Sequence, residues 1–225
     1  MNRGIQSEEK RTKGWFQAVH FRAFRRCVRA NHDTDDRPTK RGRTFDMGLP
    51  NVDVSVLPEG HVKRSRVLEL TSSPEVNVHT VCAAIMAWGR MHQSHRDSLF
   101  KKSGREWFQV AQDIRRGAID RKTAYSRFTE LRRQEKLKGA GPAYFTKLIY
   151  FLSPRQETTL KIGYIMDQWA GCSINPLVGR EIVLMNVTKT WKRQANDMAP
   201  SFGFTVADEN TGDNYETFCS EWRQT

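Results

Sequence analysis

Residues 136–142 read Lys136-Leu137-Lys138-Gly139-Ala140-Gly141-Pro142, with a basic helix-periodic stretch before them and an apolar one after. Two glycines one residue apart allow a reversal that side chains resist, and they leave the backbone N–H groups of the corner bare. Pro142 suits the first position of a following helix. The prediction is a helix-hairpin-helix element over residues 120–152. Its second helix would aim unsatisfied donors and a dipole at the corner, which suits a phosphate. Lys136 and Lys138 add charge beside it. These two lysines, Gly139, Gly141 and Thr146 are therefore candidate contacts to a DNA backbone, made without reading bases. An ordinary glycine turn between packed helices uses the same residues, and the motif alone does not separate the two readings.

Charge points the same way. The 225-residue chain carries 37 Lys+Arg against 25 Asp+Glu, a net +12. The excess is local: residues 1–43 hold +7 and residues 101–147 hold +8, while 201–225 hold −4. Clustered Lys and Arg suit a polyanion partner, although a solubilising surface would have the same composition. The mean hydropathy of −0.68 and the lack of a long apolar run argue against a membrane span. Nothing at the start reads as a secretion signal, so a cytoplasmic location is expected. Cys27, Cys82, Cys172 and Cys219 are too scattered for a disulfide framework or a thiolate metal site, and read as reduced thiols. His92, His95 and Asp97 are spaced for a metal but lack a further ligand, so no metal is expected.

Along the chain, residues 14–30 read as an amphipathic helix with Phe16, Val19, Ala23, Phe24 and Cys27 on one face. Residues 31–45 read as a polar loop, and Val52, Val54 and Val56 permit one short strand over 51–57. Helices are predicted over 79–91, 104–116, 120–134 with Asp120 as N-cap, 142–152, 179–198 and 214–223. Ser153-Pro154-Arg155-Gln156 resembles a further helix start. No sheet of any size is expected. The fold class is mostly α, with a less regular N-terminal segment over 1–75 and a helical domain over 76–225.

Twenty-six residues after Gly141, Gly163-Tyr164-Ile165-Met166-Asp167-Gln168-Trp169 places one carboxylate behind an apolar run. Alone, such an aspartate could equally cap a helix. Together, the hairpin Leu137-Lys138-Gly139-Ala140-Gly141-Pro142 with its apolar helix to Leu152, and the segment Ile165-Met166-Asp167-Gln168-Trp169, resemble the helix-hairpin-helix DNA glycosylase superfamily. The resemblance is strongest to bacterial proteins with the 8-oxoguanine-glycosylase fold. Ala87-Trp88-Gly89 is similar too, and the likeness covers roughly residues 76–200.

The resemblance implies a helical glycosylase fold and a monomer that flips a modified or damaged base out of DNA and cuts its N-glycosidic bond. Asp167 would be the catalytic carboxylate. Trp169, Tyr164, Trp88 and Trp107 would line the base pocket, although the same residue types also fill cores. Strand-cutting relatives carry a lysine two residues past the second glycine, where this chain has Ala143. Lys147 lies one helical turn on and 20 residues before Asp167, as in lysine-bearing relatives, which makes it a candidate nucleophile with AP-lyase activity. No small-molecule cofactor is implied, and a monovalent cation at the carbonyls of 137–141 is one option. Two biological roles fit: repair of oxidised purine, or defence against phage by removing a bulky modified base. The alternatives are a non-enzymatic DNA-binding hairpin protein, or an RNA-binding or scaffold protein acting through its basic N-terminus.

Overall fold

In the computed structural model, residues 48–58, 62–155, 162–194 and 197–224 are described, and their backbone is mostly helical. A single 3-10 turn at Val54–Val56 leads into α1 (Arg64–Ser72), α2 (Val78–Trp88), α3 (Gln93–Lys102), α4 (Glu106–Arg115) and α5 (Arg121–Arg133). The hairpin corner and α6 (Pro142–Leu152) come next. They are followed by α7 (Gln168–Val178), a two-stranded antiparallel sheet of β1 (Met185–Gln194) and β2 (Asp197–Val206), and α8 (Gly212–Gln224). The helix predicted over 14–30 and the loop over 31–45 lie outside the described residues.

Side-chain caps open two of the central helices, and the one at Asp120 is the expected one. Asn77 accepts the Thr80 amide at 2.9 Å to open α2, and Asp120 accepts the Thr123 amide at 2.7 Å to open α5. Every residue of α2 from Thr80 to Ala87 is buried, and α6 buries eight of its eleven positions. Helices that are apolar nearly all round belong in the middle of a core. Accordingly, α6 packs against α1, α2, α4 and α5 at once. The core runs from Leu49, Val62 and Val67 through Ile85, Trp107, Phe128 and Phe145 to Tyr215 and Phe218. Within it, burial pushes the Cys219 thiol up to about 11 and raises that of Cys82 further, so both stay protonated.

Arg115, at the end of α4, shows how the chain between α1 and α2 is held. Its guanidinium donates to the carbonyls of Thr71 (2.9 Å), Val76 (2.5 Å) and Ser73, bonding three backbone oxygens with one side chain. Arg115→Ala would take the donor from the Thr71 and Val76 carbonyls, while that of Ser73 keeps the Val76 amide at 3.2 Å. At about 1–3 kcal/mol per unsatisfied group, the expected loss is about 2 kcal/mol, readable by chemical denaturation. Arg115→Lys, a point charge without the fork, should recover only part of it.

Three expectations are corrected by the fold. The valines of 51–57 do not form a strand, because the Asp53 carboxylate accepts the Ser55 amide at 3.0 Å and tightens the chain into the 3-10 turn. Ser153 ends a helix instead of starting one, its amide and hydroxyl both donating to the Ile149 carbonyl at 3.2 and 2.6 Å. The helix predicted over 179–198 is a β-hairpin in register from Met185 opposite Val206 to Gln194 opposite Asp197. Two buried amides root that hairpin. Asn175 bonds the backbone of Ile182 and Val183, and Asn210 bonds that of Leu184 and Ala207.

Candidate active site

The corner between α5 and α6 is built as the glycines suggest. The amides of Lys136 and Leu137 fold back to the Leu131 carbonyl and close α5. Gly139 follows at φ +75°, and a Cβ there would lie 2.3 Å from the backbone oxygen of His95 in α3. Only glycine meets both demands. Arg132 reaches back from α5 to donate to the Ala140 carbonyl at 3.0 Å, while its other nitrogens pair with Asp208, just past β2. Gly141 stands at the N-cap of α6. Among the described residues nothing accepts from the amides of Gly139, Gly141 and Ala143, which leaves three backbone donors at one helix start.

Opposite the corner, the chain from Ile162 runs without regular secondary structure to Asp167, which caps α7. Asp167 Oδ1 accepts the amides of Trp169 and Ala170, both at 3.0 Å. Its Oδ2 makes no hydrogen bond among the described residues. The carboxylate is thus oriented by one oxygen and available through the other.

Lys147 sits one turn into α6 and is only 8% exposed. Its Nζ donates to the Ala143 carbonyl at 2.6 Å and lies 5.3 Å from the Tyr144 ring centroid. Gly89, after α2, gives it room: a Cβ there would come within 2.8 Å of Lys147 Cδ. Burial holds the Lys147 pKa below the ordinary lysine value, and the negative charge of Asp167 works in the opposite direction.

One cavity of about 660 Å³ joins these parts, lined by Gly139 and Gly141 of the corner, by Lys147, by Asp167, by Trp169 and by Phe204 of β2. Trp169 stands beside the aspartate with 75% of its surface exposed. Tyr144, His95 and Asn186 also face this cavity and were not anticipated. Tyr144 could have been found, since three residues before Lys147 on a helix puts the two on one face. Asn186 could not, because it lies on a strand where a helix was predicted, and Phe204 lies on the paired strand, most of which had no predicted element.

The other expected site residues lie elsewhere. Trp107 is completely buried, stacked on Phe108 at 3.6 Å and edge-on to Phe100, and belongs to the core. Trp88 packs edge-on to Phe151 with the Arg64 guanidinium over its ring, and Tyr164 accepts the Tyr215 hydroxyl through its carbonyl; neither lines the cavity. Thr146 has no exposed surface and therefore no face to offer a phosphate. Lys136 is exposed but paired with Glu106 at 3.1 Å, while Lys138 stands at the surface with its backbone tied to Ser103.

Of the hairpin carbonyls, that of Ala140 accepts the Arg132 guanidinium at 3.0 Å and that of Lys138 accepts the Ser103 hydroxyl at 3.3 Å. Among the described residues no three His, Cys, Asp or Glu side chains gather as metal ligands, and His92 instead caps α3. No described helix is long and apolar enough to cross a membrane.

No curated protein and no solved structure matches the chain. Residues 20–224 match the family described as "Putative 8-oxoguanine DNA glycosylase OGG-like protein". With a match over nearly its whole length, a mostly helical fold and a glycine corner, lysine and aspartate around one cavity, the chain belongs to the OGG-like family.

Proposed function

We propose that this protein is a DNA glycosylase that cleaves the N-glycosidic bond of a modified or damaged base turned out of the duplex. The observation that carries this reading is the shared cavity, which puts Asp167 and Lys147 beside the Gly139–Gly141 corner. The three bare amides and the α6 dipole suit a backbone phosphate, and Lys138 adds charge there. A strand held at the corner brings its everted nucleoside toward Asp167. Trp169, Tyr144 and Phe204 supply aromatic surface to receive the base. As the C1′–N bond breaks, the base departs with the bonding electrons and positive charge grows on the sugar. The open oxygen of Asp167 stabilises that charge and orients the attacking water.

Lys147 offers a second course. Its neutral amine can add to C1′ in place of water and form an iminium with the opened sugar, the step that leads on to strand cleavage. Because burial lowers its pKa, the amine is free at a lower pH than an ordinary lysine's. Borohydride should therefore trap an enzyme–DNA adduct whose yield climbs as pH rises through that lowered pKa and then levels off. Lys147→Gln should abolish it. Base release without any trapped adduct would assign hydrolysis alone.

The cavity spans the corner as well as Asp167 and opens toward the β-hairpin, so it holds sugar and phosphate as well as base, and both an oxidised purine and a bulkier modified base of phage DNA are candidate substrates. The deciding experiment is a base-release assay on duplexes containing oxidised purines and hydroxymethylated or glycosylated pyrimidines. Release from none of them, with duplex binding intact, would favour a non-enzymatic DNA-binding protein. Lys138→Glu should weaken binding to every duplex sequence about equally, since its contact is to phosphate; titrations at fixed salt check this.

A further inference from the structure

Ile162–Asp167 belongs to no helix or sheet, and three side chains hold its backbone as a neighbouring strand would. Arg121 Nη1 donates to the Ile162 carbonyl at 2.8 Å, the Tyr215 hydroxyl donates to the Tyr164 carbonyl at 2.8 Å, and the Met166 amide donates to Thr146 Oγ1 at 3.1 Å. Anchors thus fall on alternate residues, 162, 164 and 166, as they do along a paired strand. Gly163 seals the arrangement, since a Cβ there would meet Ile149 Cγ2 and the Tyr215 hydroxyl, each at 2.6 Å.

The last anchor is the informative one. Thr146 is fully buried in α6, next to Lys147 and one turn past the corner. Its hydroxyl hydrogen is committed to the Pro142 carbonyl at 2.7 Å, which turns an oxygen lone pair toward Met166. The peptide leading directly into Asp167 is thereby fastened to the helix that carries both the phosphate corner and the lysine. We propose that Thr146 is a positioning residue that sets the place of Asp167 relative to that corner, a role that rests on the glycosylase reading above. Misplacing a reacting group by about 1 Å can cost on the order of a hundredfold in rate.

The test is single-turnover base release by the full-length chain at saturating enzyme, on whichever duplex the base-release assay identifies. Thr146→Val should slow release by about 10- to 100-fold with duplex affinity unchanged, and Thr146→Ser, which keeps the hydroxyl, should restore it to within about threefold. In an Asp167→Asn background Thr146→Val should cause no further loss, because it acts through that carboxylate. Wild-type rate in Thr146→Val, an equal loss in Thr146→Ser, or a further loss in the Asp167→Asn background would each overturn the proposal. If Thr146→Val does not fold, Tyr215→Phe decides: it removes only the hydroxyl holding Tyr164 and should slow release severalfold, and a wild-type rate would overturn the idea. Should Asp167→Asn itself release base at the wild-type rate, the glycosylase reading fails independently of Thr146.

Discussion

Asp167→Asn is expected to slow base release at least about a hundredfold while duplex affinity stays within about twofold. Loss of one electrostatic stabiliser of a developing charge removes roughly 3 kcal/mol from the transition state, which is a hundredfold or more in rate. The substitution is clean because of where the residue sits. Asp167 caps α7 through Oδ1, which accepts two backbone amides, and asparagine caps a helix about as well as aspartate. Fold and backbone geometry are therefore kept, and only the charge at the open oxygen goes. Single-turnover kinetics and binding titrations on the same duplex check this. Undiminished release would remove Asp167 from the chemistry.

Gly139→Ala and Gly141→Ala should fail in different ways. At Gly139 the backbone is left-handed and a methyl group would collide with the His95 carbonyl, which belongs to a neighbouring helix and cannot swing aside as a side chain can. Strain of this kind costs about 1–3 kcal/mol before the collision is counted. The expected result is a stability loss of at least about 2 kcal/mol, a fall in Tm on the order of 5 °C for a chain of this size, with duplex binding impaired as well. Gly141 has an ordinary extended backbone, and a methyl group there would meet nothing nearer than 3.9 Å. Gly141→Ala should leave Tm nearly unchanged and still weaken duplex binding, because the new methyl stands where a phosphate must approach the bare amides. Equal Tm losses in the two variants would contradict this account of the corner.

What could be read from the sequence was whatever short-range chemistry decides. Asp120 announces α5, and the Gly141-Pro142 step followed by an apolar run announces α6, because caps and a restricted φ act within a turn of where they stand. The pairing of β1 with β2 could not be read so. Pro200 and Gly203 spoil the strand pattern of β2, and what holds the hairpin at its base is Asn175 and Asn210, residues that look like surface polars until their partners are known. The α7 helix was hidden by Gly171 and Pro176, both poor helix residues. Gly171 is there for closeness, as a Cβ would fall 2.5 Å from Met185 Sδ. Within the candidate site, Asp167 and Lys147 were singled out through the resemblance to helix-hairpin-helix glycosylases, and one cavity brings the two together. The aromatic candidates were less legible, since Trp107 and Trp169 look alike in sequence, yet one is sealed in the core and the other is three-quarters bare.

The helix from Pro142 to Leu152 touches four others and also carries the corner's last glycine at its cap, the threonine beneath Met166, and the lysine. A segment shared in this way leaves no stage at which the molecule is folded but its reactive centre unbuilt. Heat or urea should consequently extinguish activity and unfold the protein in a single transition, with no inactive native-like species preceding it.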